Sequence, residues 1–252
     1  MIIDAHVHLP VVDGCISLQQ KKERLLLEMT KNQVSKCIVI SDSDIISPIG
    51  TVDECVELFK DAENVYVVGG ISPFFDYEKQ LEKLEGYLEQ EMIIGIKLFT
   101  GHEMFYLTDN RISEVYDLAL RYDVPVLFHS GWANSQYSAV SEVAKVAEEY
   151  PELKLVCCHC FYPNICDCQE LIRYSNVYFD ISSIADDLTI LGKVESEIKK
   201  LIQMIPTRVL FGSDYAGCNQ MHHIELVRRL GLDKRTEEVV FEKNATRLYL
   251  LK

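Results

Sequence analysis

His6 and His8, near the start of the chain, are residues whose type and spacing could do metal chemistry. They belong to the run Ile2–His8, in which apolar residues alternate with Asp4, His6 and His8 as in a β-strand. The alternation predicts that both imidazoles lie on one face, about 7 Å apart, close enough to bind one metal ion. The alternative is a pair of surface histidines beside an edge strand. Whether other strands also end in possible ligands decides between these two interpretations.

Three further strand-like runs end in a residue that can bind a metal. His129 ends the run at 125–131, His159 the run at 154–160, and Asp214 the run at 209–215. Each has an ordinary alternative explanation, such as a hydrogen bond to a nearby carbonyl or a helix cap. Nitrogen and oxygen ligands around an open coordination position are what a catalytic divalent ion requires. If these strand ends lie close together, their histidines and Asp214 predict a metal site.

Lys97 stands in another strand-like run, at 92–99, and its side chain is expected to point towards the strand ends that carry the histidines and Asp214. One interpretation is an ammonium group that pairs with Asp214 or with a substrate anion. The other is a lysine carbamate that bridges two metal ions. The residues alone leave both open.

The order of the elements predicts how these side chains are brought together. Apolar runs alternate with helical patterns eight times, and such runs are typical of parallel strands buried on both faces. Eight units in 252 residues predict an α/β protein with a single TIM-like (β/α)8 barrel domain over residues 1–252 and its site at the C-terminal mouth of the strands. The strands are expected at 2–8, 36–41, 65–72, 92–99, 125–131, 154–160, 177–183 and 209–215. The helices are expected at 17–32, 51–62, 76–90, 111–122, 137–150, 164–174, 194–205, 224–230 and 236–250.

Composition excludes some classes of partner. The net charge of −14 gives no electrostatic basis for binding nucleic acid or an anionic membrane. No apolar run reaches the ~20 residues that a membrane span needs. The expected location is therefore the cytosol, with the nine cysteines reduced and packed as small apolar residues.

The ordered set of motifs resembles the amidohydrolase superfamily. More narrowly, it resembles the amidohydrolase-2 group, which includes aminocarboxymuconate semialdehyde decarboxylase and many small metal-dependent hydrolases. The resemblance covers nearly the whole chain, from Asp4-x-His6-x-His8 through the strand-end residues to the closing segment 242–248. It implies a divalent ion, with Zn²⁺ expected, bound by His6, His8, His129 and Asp214.

The resemblance also gives alternatives for two other residues. In mononuclear members the position of His159 acts as an acid or base beside the ion, and in binuclear members it binds a second ion. Lys97 matches the lysine that forms a carbamate bridge in dihydroorotases, but the Tyr-Pro that often follows there is Phe99-Thr100 here. One ion is therefore favoured, and two remain an alternative.

The activity expected from this resemblance is hydrolysis of an amide, lactone or related ester by metal-activated water. The first alternative is a non-oxidative decarboxylase, which needs an arginine in the mouth, and Arg111 is the candidate by position. A phosphodiester hydrolase similar to TatD is the second, although that group has a strand-four glutamate where this chain has Lys97. A non-catalytic metal-binding barrel would lack a pocket beside its ligands.

The expected partner is a small-molecule substrate, and a homodimer is left open. Substrate identity is expected to depend on the loops 100–109 and 130–137. Trp132 and Tyr215 are candidate substrate contacts, with Tyr106, His222 and His223 as further candidates for the pocket.

Overall fold

The computed structural model of the protein describes residues 1–11, 17–43, 47–132 and 135–252. Eight parallel strands form one sheet whose strand order follows the chain. Helices cover its outer face, so the expected (β/α)8 barrel is confirmed. The strands are β1 (Ile3–Val7), β2 (Lys36–Ile40), β3 (Val65–Ile71), β4 (Ile96–Leu98), β5 (Val126–His129), β6 (Leu155–Cys158), β7 (Val177–Asp180) and β8 (Val209–Leu210).

Backbone hydrogen bonds between β1 and the segment after β8 close the barrel. Ala5 N donates to Phe211 O at 2.9 Å, and Asp214 N donates to His6 O at 2.8 Å. The expected eighth strand at 209–215 is regular only over Val209–Leu210, and the chain turns through a positive φ of 61° at Asp214. The end of β1, which carries His6 and His8, and the segment after β8, which carries Asp214, nevertheless lie side by side.

Successive strand residues alternate between two apolar cores. Val126 and Phe128 pack against the surrounding helices, whereas Leu127 between them faces the barrel interior. Tyr249 and Leu251, from the end of the chain, pack into this interior core. The interior is thus filled with side chains below the mouth, as expected for a barrel of eight strands.

Strand β1 departs from the expected alternation. Asp4 pairs with Cys37 and Val7 with Val39, so β1 has one more residue than β2 over this stretch. The extra residue is a β-bulge, which re-aims the side chains that follow it. Asp4 therefore does not share a face with His6 and His8, which corrects the expectation from the sequence.

The helices differ from expectation mainly in the last third of the chain. The segment 164–174, expected to be α-helical, is a 3-10 helix at Ile165–Leu171, and the final helix is interrupted by a π-helical turn at Val239–Lys243. The capping box of Thr51 and Glu54 is present as predicted. The α-helices are α1 (Leu18–Lys31), α2 (Val52–Phe59), α3 (Tyr77–Glu89), α4 (Ser113–Arg121), α5 (Val140–Glu149), α6 (Leu191–Met204), α7 (Gln220–Arg229), α8 (Lys234–Glu238) and α9 (Asn244–Leu248).

Two negative findings concern the described ranges only. None of their helices combines the length and the apolar character needed to cross a membrane. The cysteines in these ranges are all free thiols, in agreement with the expectation that they are reduced.

Candidate metal centre

Three of the expected ligands meet at the mouth of the barrel. His6 Nε2 and His8 Nε2 lie 3.3 Å apart, and Asp214 Oδ1 lies 3.5 Å from the first and 3.2 Å from the second. Two atoms that each lie about 2.1 Å from one ion can be at most about 4.2 Å apart. The triangle is therefore small enough for all three atoms to bind a single ion.

The hydrogen bonds on the far sides of the two imidazoles show that this triangle fits a cation. His6 Nδ1 contacts Asp180 Oδ2 at 2.5 Å, and His8 Nδ1 contacts the carbonyl oxygen of Ile40 at 2.7 Å. Both partners are acceptors, so each Nδ1 carries a hydrogen, and in the neutral form that binds a metal each ring turns an Nε2 lone pair inward. Two lone pairs and a carboxylate oxygen repel one another unless a cation lies among them.

The local sequence explains how Asp214 and His6 come so close. A Cβ atom at Gly212 would lie 2.5 Å from Asp180 Oδ1 and 2.8 Å from the His6 Cβ. Any side chain at this position would push apart the two strands that carry the ligands. Gly212 is therefore required for the approach of β8 to β1.

Asp4 is a supporting residue for the same loop. Its Oδ1 accepts a hydrogen bond from Ser213 N at 2.9 Å, and its Oδ2 accepts from Ser213 Oγ at 2.6 Å and Gln220 Nε2 at 2.8 Å. Burial raises the pKa of Asp4 to about 7, although these hydrogen bonds act to lower it. Asp4 fixes the residue before Asp214 from behind and is not a ligand.

Asp214 is held as a carboxylate. Burial alone would raise its pKa, but the adjacent imidazoles of His8, His6 and His159 hold the pKa well below its usual range. An ionised carboxylate in contact with two imidazoles is what the expected metal ligand requires.

His159 lies beside the triangle and is also buried. Its ring centroid is 5.0 Å from that of His6 and 4.8 Å from that of His129. Burial lowers the pKa of His159 to about 3, against the raising effect of the charge on Asp214. His159 is therefore a neutral imidazole at neutral pH.

Ser182 holds the ring of His159 in place. Its hydroxyl oxygen lies 2.8 Å from His159 Nδ1 and 3.1 Å from His6 Nδ1, and its carbonyl oxygen lies 3.3 Å from His159 Nδ1. Both oxygens contact the same nitrogen of His159, so Ser182 fixes the orientation of this imidazole.

His129 lies near the triangle but is not part of it. His6, His8 and Asp214 form a group whose ligand atoms all lie within 4.8 Å of one another, and His129 is not in this group. Its ring packs between His159 and His102, with centroids 4.8 and 4.3 Å away. Burial lowers its pKa, so His129 is a neutral imidazole at the edge of the site.

A cavity of about 1010 Å³ opens over these residues, lined by all four strand-end histidines and by Asp214. A non-catalytic metal-binding barrel was expected to lack such a pocket. Among the described residues, the lining also includes Lys97, Trp132 and His102. The sequence did not single out His102.

A sequence model described as Amidohydrolase, of the amidohydrolase-2 group, matches residues 3–251 of the chain. The chain belongs to the amidohydrolase family. No curated protein matches it in a sequence comparison. The resemblance read from the sequence motifs is therefore confirmed at the level of the family.

Solved structures share the fold of this amidohydrolase at low sequence identity. An uncharacterised TIM-barrel protein from Bordetella bronchiseptica has a TM-score of 0.79 at 16% identity, covering 99% of this chain and 98% of its own. A probable 2-pyrone-4,6-dicarboxylic acid hydrolase from Acinetobacter baumannii has a TM-score of 0.71 at 12% identity, covering 98% of each chain. A 5-carboxyvanillate decarboxylase from Novosphingobium aromaticivorans, complexed with manganese, has a TM-score of 0.69 at 15% identity, covering 96% of this chain and 82% of its own. The fold thus occurs in both hydrolases and decarboxylases.

Arg111 lies away from the mouth of this amidohydrolase. Its guanidinium group binds the Asp109 carboxylate at 2.6 Å, stacks over Phe74 at 5.0 Å, and does not line the cavity. The arginine expected of a decarboxylase is therefore not supplied by Arg111. The short sequence distance between Asp109 and Arg111 explains the pairing.

The other candidate pocket residues divide into two groups. Trp132 is half-exposed, lines the cavity and packs on Tyr162 with centroids 4.5 Å apart. Tyr215 contributes its carbonyl oxygen to His8 N, but its side chain is not in the lining. Also outside the lining are Tyr106, which packs on Tyr137, His222, which pairs with Asp186, and the buried His223. Residues 133 and 134 of the loop 130–137 lie outside the described ranges.

Sequence reasoning missed two residues that complete the site, Asp180 and His102. Asp180 is the last residue of β7, a strand from which the sequence suggested no ligand. His102 follows β4 by four positions in a loop, and no periodicity constrains a loop.

The buried imidazoles predict an acid-sensitive fold. Mainly because of burial, the pKa values of His6, His129, His159 and His223 are all lowered in the folded protein. Their stabilising effect is complete above the unfolded pKa of about 6.5 and is lost as the pH falls towards the folded values, about 3 for His159. Each group contributes a slope of up to about 1.4 kcal/mol per pH unit.

We therefore expect the free energy of unfolding of the metal-free protein to fall steeply as the pH is lowered from about 7 to about 5. Urea unfolding at several pH values measures this. The slope of the free energy of unfolding against pH should become smaller in His223→Gln, which removes one buried imidazole that is not among the candidate ligands. A flat profile over this range contradicts the prediction.

Proposed function

We propose that this amidohydrolase is a hydrolase that uses one divalent ion to activate water for attack on an amide, lactone or related ester of a small molecule. The proposal is supported above all by the convergence of His6 Nε2, His8 Nε2 and Asp214 Oδ1 within 3.5 Å. The set of two imidazoles and a carboxylate suits Zn²⁺, and the manganese complex of a related decarboxylase makes Mn²⁺ the alternative. His129, which the family resemblance makes the fourth ligand, lies outside this triangle and would have to move towards it to bind the same ion.

A divalent ion bound here would act as a Lewis acid and lower the pKa of a bound water from near 16 towards about 7. The residues of the chain supply the proton transfers. Asp214, an ionised carboxylate at the triangle, accepts the proton of the attacking water. His159 is neutral, and in the tautomer with its hydrogen on Nε2 it would donate a hydrogen bond to the substrate oxygen on which negative charge develops.

Asp180 and Ser182 keep these groups in position. Asp180 holds His6 through Nδ1, and its Oδ1 accepts from Ser182 N at 2.8 Å. Ser182 in turn orients His159. A single carboxylate thereby fixes the relative position of a ligand and of the residue proposed to polarise the substrate.

Two observations favour hydrolysis over the alternatives. No arginine is among the described residues that line the cavity, although the decarboxylase interpretation required one. Lys97 stands where a phosphodiester hydrolase similar to TatD has a glutamate. Decarboxylation remains the second candidate because structures that share this fold include a decarboxylase.

A substrate screen with metal-loaded protein tests the proposal. The screen should contain lactones, esters, amides and aromatic carboxylic acids, with oxygen-labelled water as solvent. We expect label in the carboxyl group of a product and no release of CO2. Release of CO2 without water uptake would show that the second candidate is correct.

The metal count should be one per chain. Lys97 Nζ lies 3.0 Å from Cys158 Sγ, and as an ammonium group its charge would repel a second cation. Metal quantification of protein prepared with bicarbonate and excess zinc measures the count. Two ions per chain that fall to one in Lys97→Ala would contradict this prediction and indicate a carbamate bridge.

A further inference from the structure

Lys97 is a buried lysine inside the barrel. It is the central residue of β4, and its neighbours Ile96 and Leu98 belong to the outer core, so its side chain points inward. Only 1% of the residue is exposed. It lines the cavity together with the candidate ligands, with Nζ 5.4 Å from the centre of the Phe99 ring.

The partners of Lys97 do not balance its charge. Among the described residues its closest polar contact is Cys158 Sγ at 3.0 Å, and none of the ion pairs found there includes Lys97. A thiol is a weak acceptor and carries no charge at neutral pH. A buried ammonium group is costly unless an anion is next to it. An anion that enters the cavity would supply the missing partner.

The rest of the lining limits the kind of anion. Asp42, Glu103 and Asp214 also line the cavity, and the chain has a net charge of −14. A polyphosphate would meet repulsion from these carboxylates, whereas one carboxylate group matches one ammonium group. Lys97 is the single lysine or arginine among the described residues of the lining.

We propose that Lys97 binds a carboxylate group of the substrate while the bond to be cleaved lies against His6, His8 and Asp214. The inference rests on the proposed function and names its substrate class, a lactone, ester or amide that carries a free carboxylate. The aliphatic and aromatic residues Ile49, Phe99 and Trp132 of the lining then contact the uncharged part of the molecule.

The charge and the binding pocket can be tested without a known substrate. Benzoate and its uncharged counterpart benzamide are titrated into metal-loaded wild type, Lys97→Met and Lys97→Arg, and binding is followed by calorimetry. A hydrogen-bonded ion pair that is lost in Lys97→Met should weaken benzoate binding about 10- to 100-fold. Benzamide should bind all three proteins alike, and Lys97→Arg should restore much of the affinity for benzoate.

Lys36→Met is the matched control, because Lys36 contacts Tyr66 at the opposite end of the barrel, with Nζ 3.3 Å from the tyrosine hydroxyl. It should bind benzoate as the wild type does. Circular dichroism and metal content establish that each variant is folded and loaded. If Lys97→Met does not fold, Lys97→Gln takes its place.

Three results would overturn the inference. Benzoate can bind the wild type and Lys97→Met equally, which would assign the anion to the metal alone. It can fail to bind the wild type at all. Finally, Lys97→Met can lose metal together with benzoate, which would make Lys97 part of the metal centre. A screen that finds no hydrolysed substrate bears on the proposed function and leaves this binding result intact.

Discussion

Asp214→Asn is expected to lower turnover by about two to four orders of magnitude while the barrel stays folded and part of the metal is retained. The amide keeps the size of the side chain and one oxygen, which can still face His6 Nε2 and His8 Nε2. It removes the negative charge and the basic lone pair. The loss should therefore appear in kcat more than in KM, because the base acts in the transition state.

Steady-state kinetics on the substrate found in the screen, with the metal content of each preparation determined in parallel, measure the effect. Asp187→Asn is a matched control, since Asp187 lies on the loop after β7 and binds Thr189 and Tyr162 outside the triangle. It should keep wild-type turnover. Near-wild-type activity of Asp214→Asn at full metal content would mean that the base lies elsewhere.

The sequence predicted the strands that carry the site because buried parallel strands have a distinct composition. His6, His8 and Asp214 each follow an apolar run, and runs of this kind rarely end in such residues unless their ends converge. The family model that matches residues 3–251 confirms the family resemblance that these runs carry. The order of the ligand-bearing strands was therefore readable without coordinates.

What the sequence could not give was the geometry within a strand. Strict alternation placed Asp4 beside His6, yet the bulge in β1 turns Asp4 towards Ser213 and Gln220 instead. A bulge depends on the register between two strands, and the register is set by contacts far apart in the chain. The roles of Asp4 and of the bulge therefore required the structure.

Loop residues were beyond prediction for a different reason. His102 and Arg111 follow the same strand, and of the two only Arg111 was a candidate from the sequence, because a decarboxylase needs an arginine. The structure places His102 in the cavity and pairs Arg111 with Asp109 outside it. Loop conformation depends on local hydrogen bonds and packing. Neither the hydrophobic periodicity nor the composition of the sequence encodes these contacts.

His6→Ala is expected to abolish tight metal binding without unfolding the barrel. The variant removes one corner of the triangle and leaves His8 Nε2 and Asp214 Oδ1, 3.2 Å apart, as the remaining pair. Loss of a residue that merely orients a ligand costs about 10- to 100-fold in affinity, and loss of a ligand itself should cost more. His6 lies at the mouth, so the apolar cores that hold the strands together stay intact.

Thermal unfolding with and without added zinc measures this loss independently of any substrate. An ion that binds only the folded protein raises the melting temperature, and the rise depends on its affinity and concentration. We expect a clear zinc-dependent rise for the wild type and for His222→Ala, whose histidine pairs with Asp186 outside the cavity. His6→Ala should unfold cooperatively at one temperature whether or not zinc is added. If zinc stabilised His6→Ala as much as the wild type, the ion would have to bind elsewhere in the protein.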